Sequence, residues 1–411
     1  MKTMTSSPLR NRDFALLWSG QTVSSLGDGI FTIALTIVTL RIAHSPTALA
    51  YVFAARAVPS IGFSLLGGVV VDRASRRLVM LGSDAVRGGA VGLIALLASR
   101  GELRLWELIL MSVIFGTADA FFSPASTAII PELLDGPLLA KGNALGQLSN
   151  QLSRGIVGPA FGGFIVGTVG IAWSFSIDAV SFAGSGICLL VMRAGSKPAT
   201  VKESPLRSAA VGLRYVLDRN WLKISLVGGA LANFVGFVPL GVLLPLLVRT
   251  SLKGSASQLG FVFAAGGSAG IIISLIVAKI GSPRRFVSAT WIAYTAGSLS
   301  IALLAFASNI WVAGIMVSAE VGLFLYGDIL WTAMLQDHVP KELLGRVSSV
   351  VYLFAFSLGP LGLLAGGFAA SLLGIRHAIL ASGLIAAAIC AVVPFAPGVR
   401  DPEILPALTS S

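Results

Sequence analysis

Charge is scarce in this chain. Asp, Glu, Lys and Arg supply 11% of its 411 residues, less than half of the roughly 25% usual in soluble domains. That deficit excludes a water-facing surface over most of the protein, and with it an ordinary soluble enzyme or nucleic-acid-binding module. Cysteine is rarer still. The two residues, Cys188 and Cys390, sit inside apolar runs, where a thiol packs like any small apolar group, so neither a disulfide nor a metal site is expected. No Gly-x-x-x-x-Gly-Lys-Ser/Thr phosphate loop occurs, which excludes ATP binding of that type and leaves an ion gradient as the expected energy source. No Ser/His/Asp set, paired-carboxylate cleft or Cys/His metal spacing emerges, and the chain is read as a non-enzyme without a cofactor.

Apolar length is what the chain has in abundance. Hydrophobic residues make up 55% of it and the mean hydropathy is +0.88. Apolar runs of about 20 residues, enough helix to cross a hydrocarbon core of about 30 Å, recur from Phe14 to Pro397. Twelve spans are predicted, at 14–40, 47–71, 78–99, 105–130, 141–168, 171–193, 222–249, 256–280, 286–306, 310–337, 342–372 and 375–397. The first run is too long for the core of a cleavable signal peptide, so the first helix is expected to be retained.

The net charge of +11 reports topology rather than a nucleic-acid partner. With the N-terminus inside, only Arg41, Arg100, Arg104, Arg249, Lys253 and Arg376 fall on the outer side, and Arg56, Arg87 and Arg154 fall within spans. All other Lys and Arg lie on the inner side, the positive-inside bias. A multi-pass protein of the inner or plasma membrane is predicted, with the lipid bilayer as partner and both termini cytoplasmic.

The polar stretch from Arg193 to Lys223 divides six spans from six more. The predicted organisation is an N-terminal six-helix bundle over 1–193, a cytoplasmic linker over 194–221 and a C-terminal six-helix bundle over 222–411. Within the linker, 209–220 could form an amphipathic helix on the anionic inner leaflet, or remain a solvated connection. The halves match in sequence. Tyr51-Val52-Phe53-Ala54-Ala55 reappears as Phe261-Val262-Phe263-Ala264-Ala265, Gly20 and Gly27 fall on Gly229 and Gly236, and Asp119 and Pro131 fall on Asp328 and Pro340. Gly158-Pro159 has its counterpart in Gly359-Pro360. Matches in the same order argue for duplication, a common plan of secondary transporters that work by alternating access.

After the second span comes Gly68-Val69-Val70-Val71-Asp72-Arg73-Ala74-Ser75-Arg76-Arg77. It resembles the signature loop between helices two and three of the major facilitator superfamily, with Ser75 in place of the usual second glycine. The resemblance implies a close helix approach at Gly68, Asp72 set against the N-terminal end of helix eleven, and Arg73, Arg76 and Arg77 holding the cytoplasmic face closed. An aspartate suits the partial positive charge of a helix N-terminus. The three arginines could instead be positive-inside anchors only. The C-half counterpart keeps Arg284-Arg285 without the acid.

The fifth span holds Gly155-Ile156-Val157-Gly158-Pro159-Ala160-Phe161-Gly162-Gly163, similar to the Gly-Pro-x-x-Gly-Gly motif of the superfamily's antiporters, though its upstream glycine is one residue closer than usual. Glycines here allow close helix packing and Pro159 bends the helix; generic packing would also account for them. The opening Arg12-Asp13-Phe14 into Trp18, then Gln21, Ser25-Leu26-Gly27-Asp28, and Pro131-Glu132-Leu133 through Asn143-Ala144-Leu145 resemble the macrolide-efflux and enterobactin-exporter-like branch, of drug:proton antiporter type. That resemblance implies an all-α major facilitator fold of twelve transmembrane helices in two pseudo-symmetric halves, and export of drugs or siderophores in exchange for protons.

Ionisable groups at membrane depth are costly, and each is a functional candidate. Asp28, Arg56, Asp119 and Arg154 lie near mid-depth in spans one, two, four and five. The two bases are expected to pair with the two acids, either as fixed neutral pairs or as a switch opened by protonating Asp28 or Asp119. Glu320 and Asp328 in span ten have no basic residue at comparable depth in their half. Proton carriage, a wet cavity, or recognition of a cationic substrate would each account for them. Asp84 and Arg87 are expected to pair locally, and Asp178, His338 and His377 to be interfacial.

Midplane aromatic and polar groups, Phe31, Phe53, Phe121, Asn233, Phe237, Phe324 and Tyr326, are the candidate lining of a substrate pocket. The leading function is a monomeric, proton-coupled exporter of amphiphilic small molecules such as antibiotics. The alternatives are export of one endogenous metabolite such as a siderophore, import or symport, which the helix-five motif disfavours, and a receptor or membrane scaffold without transport.

Overall fold

In hydrocarbon a backbone polar group has no water to bond, and a helix satisfies each one within its own segment. The apolar runs fold accordingly. The computed structural model of the protein describes residues 7–43, 45–193, 205–281 and 283–404, with certain helical side chains, Asp72 and Phe237 among them, outside the description. Every regular element among the described residues is helical. Two compact units can be distinguished, Met1–Val201 with Gly254–Ala264, and Lys202–Lys253 with Ala265–Ser411. Of the predicted linker, 194–204 lie outside the described residues.

The first unit is built on α1 (Arg12–Ala43), buried along most of its length from Phe14 to Thr39. Then follow α2 (Pro46–Gly62), α3 (Ser64–Arg73), α4 (Arg76–Arg100), α5 (Leu105–Leu133), α6 (Pro137–Leu152), α7 (Gly158–Thr168) and α8 (Ile171–Val191). Helix α1 packs on α7 and α8, α4 on α5 and α8, and both α2 and α3 on α5. The start of α5 is fixed by Glu107, whose carboxylate accepts from the Arg104 backbone N–H at 2.7 Å.

The second unit opens with α9 (Pro205–Leu217), followed by α10 (Asn220–Ala232) and α11 (Val238–Leu246). Helix α12 (Ala256–Ile280) runs through the division point, and α13 (Phe286–Leu304), α14 (Ile310–His338), α15 (Lys341–Ser357), α16 (Gly359–Leu373), α17 (Ile375–Val392) and α18 (Asp401–Ile404) complete the chain. Helix α13 packs on α14 and α17, and α11 on α16. The linker helix is docked rather than solvated. Gly212 of α9 meets the backbone of Arg346, and the Tyr215 hydroxyl donates to the His338 carbonyl at 3.2 Å.

Ten helical stretches among the described residues are long and apolar enough to cross a membrane. The all-α membrane architecture is observed, but the predicted number of twelve does not follow from helix length and composition. The missing two are the second and fifth spans. Span two divides at Phe63 into α2 and α3, past Pro59 inside α2. Span five is polar in its first half, with Asn143, Gln147, Ser149, Asn150 and Gln151 on α6, and it passes through a π-helical turn, Ser153–Val157, before α7.

The duplication is visible in local backbone. Span five breaks just before Gly158-Pro159, and the corresponding break between α15 and α16 falls at Leu358, just before Gly359-Pro360. Proline cannot donate to the carbonyl four residues back, and its ring crowds that carbonyl, so the regular ladder ends ahead of it. The last long helix of each half starts after a left-handed glycine, Gly170 at φ +108° before α8 and Gly374 at φ +80° before α17, which a residue with a Cβ would adopt only under strain.

The Gly-Pro motif brings the backbone of α7 close to both α1 and the start of α12. A Cβ on Gly158 would lie 2.8 Å from the Gly29 Cα, one on Gly162 2.9 Å from the Ile30 Cα, and one on Gly163 2.9 Å from the Ser257 Cα. By contrast, a Cβ on Gly146 of α6 would meet nothing within 4 Å. Gly158→Ala is therefore expected to destabilise the protein by about 1–3 kcal/mol through overpacking, while Gly146→Ala leaves stability unchanged or slightly raised. Thermal unfolding of the two purified variants in one detergent checks the difference.

Candidate functional site

The conspicuous chemistry of the first unit is a set of buried charges. Asp28 on α1 is 2% exposed. Its Oδ2 accepts from Arg154 Nη2, and its Oδ1 lies 3.8 Å from Arg56 Nη2. Arg154 sits in the π-helical turn between α6 and α7, where the extra residue per turn re-aims side chains relative to an unbroken helix. Arg56 is placed by the approach of α2 to α5, where a Cβ on Gly116 would collide with the Arg56 carbonyl. The arginine side chains are 22% and 41% exposed against 3% for Asp28, so the triad is least covered on the arginine side.

A second set is centred on Arg87 of α4, which is 1% exposed. Arg87 donates through Nη2 to Asp84 and through Nη1 to Asp119 of α5 at 3.2 Å. Asp84 Oδ2 also accepts from Ser185 Oγ of α8 at 2.8 Å. The expected Asp84–Arg87 pair is present, but Asp119 takes Arg87 rather than Arg56 or Arg154, and both of those go to Asp28. The expectation of two acids balanced against two bases is corrected accordingly. Arg87 belongs to the network because α4 presents it to α5 and α8, a tertiary placement that spacing within one span does not reveal.

Phe115 of α5 joins the two sets. The Arg56 guanidinium lies 4.1 Å from its ring centroid and that of Arg87 5.8 Å. Phe31 stacks on Phe115 at 5.4 Å and 11°, and Phe175 and Phe182 pack edge-on at 5.5 Å to Phe31 and 5.8 Å to Phe115. All four rings are at most 1% exposed. Aromatic faces attract cations, and most strongly where water is excluded. Phe31, a candidate pocket residue, is thus closed off in this stack rather than available to a substrate.

Asp178 departs most from its expected place. It is fully buried in α8, not interfacial; Ser181 Oγ donates to its Oδ1 at 3.3 Å, and its Oδ2 has no hydrogen-bond partner among the described residues. Ser174, Asp178, Ser181 and Ser185 recur at helical spacing and are all buried. That polar stripe within an apolar span was the available signal.

In the second unit Glu320 of α14 is 3% exposed and its Oε2 has no hydrogen-bond partner among the described residues. Asp328, expected as a second buried acid, is exposed on the same helix. Its neighbour Gly327 packs against the Tyr294 ring of α13. Among the pocket candidates, Phe53, Phe121, Phe324 and Tyr326 are half-buried, while Asn233 is buried with Nδ2 donating to the Ala355 carbonyl at 2.9 Å. Phe237 has its side chain outside the described residues. Among the described residues no group of three or more His, Cys, Asp or Glu is arranged to hold a metal ion.

The signature loop also has a physical account. Arg76, at the start of α4, bonds Glu132 and the Ala128 carbonyl near the end of α5, and Arg77 donates to the Leu190 carbonyl at the end of α8 at 2.6 Å. A basic side chain suits the exposed carbonyls of a helix C-terminus. Arg73 is exposed, and the Asp72 side chain lies outside the described residues. The close approach falls on Gly67, where a Cβ would collide with the Ala120 carbonyl, and not on Gly68, where it would meet nothing within 4 Å.

Two helical units with charges buried at membrane depth and a glycine-packed fifth span define a transporter of the major facilitator type. Solved structures share that fold. A POT family transporter bound to 5-aminolevulinic acid aligns with a TM-score of 0.75 at 13% identity, covering 95% of this chain and 97% of its own. A bacterial homologue of the iron transporter ferroportin in an inward-facing state aligns at 0.68 and 16%, covering 94% and 99%. The family described as transmembrane secretion effector matches residues 3–403, and this chain belongs to that family. It is 25% identical to macrolide efflux protein A of Streptococcus pyogenes over 95% of this chain and 97% of that one. Against the multidrug efflux pump Tap of Mycobacterium tuberculosis (strain ATCC 25618 / H37Rv) it is 28% identical over 93% of each.

Phe115→Leu removes the ring that both guanidiniums face, whereas Phe175→Leu removes a buried ring with no guanidinium over it. Each substitution is expected to destabilise. The loss at Phe115 should exceed that at Phe175 by about 1–2 kcal/mol, the worth of desolvated cation–π contacts, as read from thermal unfolding of the two variants.

Proposed function

We propose that this protein is a secondary active exporter of amphiphilic small molecules, with macrolide-like antibiotics the first class to test, and that inward proton flow drives it by alternating access. The observation that carries the proton half is Glu320, a buried carboxyl group in a membrane-spanning helix whose Oε2 has no hydrogen-bond partner among the described residues. An isolated carboxylate there would be strongly disfavoured, so the group is stable only when neutral and gains charge when the site opens to water. The drug half is supported by relatives that are macrolide and multidrug efflux pumps.

Asp28 supplies the second coupling element. It holds arginines from α2 and from the π-helical turn together, so protonating it would free both at once, a charge change acting on two separate elements. Asp119 and Asp328 remain coupling candidates, and Phe53, Phe121, Asn233, Phe324 and Tyr326 candidate substrate contacts. In this proposal the halves are 1–193 and 222–411, both termini are cytoplasmic, the protein acts as a monomer, and the proton gradient takes the place of any cofactor.

Expression in an efflux-deficient bacterium should lower accumulation of radiolabelled erythromycin and of cationic dyes, and an uncoupler should abolish the effect. In proteoliposomes with an imposed pH gradient, Glu320→Gln should reduce uphill transport to background while leaving downhill exchange. Wild-type uphill transport by both Glu320→Gln and Asp28→Asn would contradict proton coupling through these acids. No change in accumulation across a broad drug panel would favour export of a single endogenous metabolite such as a siderophore.

A further inference from the structure

The buried charges of the first unit do not balance. Asp178 of α8 is within electrostatic reach of Asp28 from α1, Arg56 from α2, Arg87 from α4 and Arg154 from the π-helical turn, and Arg87 in turn holds Asp84 of α4 and Asp119 of α5. Three guanidiniums thus stand among four carboxyl groups, and every guanidinium is committed. Arg154 and Arg56 are on Asp28, and Arg87 is on Asp84 and Asp119. Asp178 has none of them. Among the described residues its one side-chain bond is from Ser181 Oγ, and Oδ2 has no partner at 0% residue exposure.

Helix α1 closes over this group. A Cβ on Gly27 would collide with Asp178 Oδ1 and Ser181 Oγ, so glycine at this position lets the backbone cover the acid and exclude water from it. Deprotonated, Asp178 would be a buried charge without a counter-ion, beside Asp28 of the same sign. A proton on it brings the cluster to three positive and three negative charges.

From this arrangement we propose that Asp178 is a proton-binding residue of the transport cycle, neutral in the state of the structure. It releases its proton when a further positive charge reaches the cluster. As α1 moves off Asp178 and admits water, the O–H bond breaks, the proton passes to that water, and the new carboxylate is balanced by the arriving cation. Arg56 and Arg87 are within electrostatic reach of Asp178, and Arg56, at 3.8 Å from Asp28, holds its acid less closely than Arg154 does. Displacement of Arg56 toward Asp178 by a cationic amphiphile bound at Asp28 would produce this exchange. The use of that proton in transport rests on the antiport proposed above; the presence of the proton does not.

Infrared difference spectroscopy of the purified full-length protein at neutral pH tests the proton directly, with isotope-labelled aspartate separating aspartic from glutamic acid bands. Wild type and Asp84→Asn should both show one protonated aspartic acid band in the carbonyl region, and Asp178→Asn should lack it. Should Asp178→Asn fail to fold, Asp178→Glu answers the same question by moving the acid out of the labelled set. Absence of the band in wild type, or its persistence in either Asp178 variant, overturns the proposal. Adding erythromycin, whose amine is cationic, should diminish the band and release a proton to an indicator dye in wild type but not in Asp178→Asn. An intact band that erythromycin leaves unchanged overturns the exchange step. Failure of wild type to transport against a pH gradient would instead refute antiport, with the infrared result still deciding the proton on Asp178.

Discussion

An arginine in hydrocarbon cannot shed its charge, as a lysine does by losing a proton and a carboxylate by gaining one, because its guanidinium stays protonated at any attainable pH. Three of them at membrane depth therefore commit the first unit to supplying permanent partners. Arg87 takes two carboxylates and the faces of Phe122, at 3.9 Å, and Phe182, at 4.7 Å. Arg56 takes Asp28 and the face of Phe115. Each arginine draws helices together: α4 to α5 through Asp119, α1 to the π-helical turn through Asp28, and α2 to α5 through Phe115. The polar network and the aromatic stack are consequently one construction, in which ring faces add to the carboxylates as partners of the guanidiniums.

Such a network needs helices close enough for short side chains to meet, and small residues provide that closeness. Gly158 and Gly162 bring α7 onto α1, Gly116 brings α5 onto the Arg56 backbone, and Gly27 lets α1 cover Asp178. Without a hydrophobic drive between helices in lipid, association depends on this kind of packing and on polar contacts. Pro159 adds direction by ending the regular ladder just after the turn that carries Arg154. The second unit handles charge differently. It has a docked linker helix, π-helical turns around α11 and a buried Glu320 for which no arginine or lysine salt-bridge partner stands among the described residues.

The class of fold was legible because apolar runs of membrane length survive any reading of detail, and the repeat was legible because the Gly-Pro breaks recur at matching places. The Asp84–Arg87 pair could be read from helical spacing alone, since both partners lie on one helix face. Partners on different helices could not. Asp119 finds Arg87 because of how α4 meets α5, and Asp28 collects two arginines because a π-helical turn re-aims one of them; neither event has a period in the sequence. The second and fifth spans show the limit of hydropathy, because Phe63 interrupts one and polar residues occupy half of the other. Gly67 rather than Gly68 marks the close approach, a one-residue difference that rotates the helix face by about 100°. Asp178 was misplaced because an isolated acid in an apolar span reads as interfacial, although the serine stripe around it marked a buried polar face.

The central claim is that charge in the first unit is held by mutual balance rather than by solvation. A double-mutant cycle on Asp84 and Arg87, read as unfolding free energy in detergent, tests it most directly. Arg87→Met alone leaves Asp84 and Asp119 without their base and should cost about 3–5 kcal/mol. The Arg87→Met/Asp84→Asn double variant, with one fewer uncompensated acid, should recover a substantial part of that loss. A double variant as unstable as the sum of its two single variants would contradict the claim.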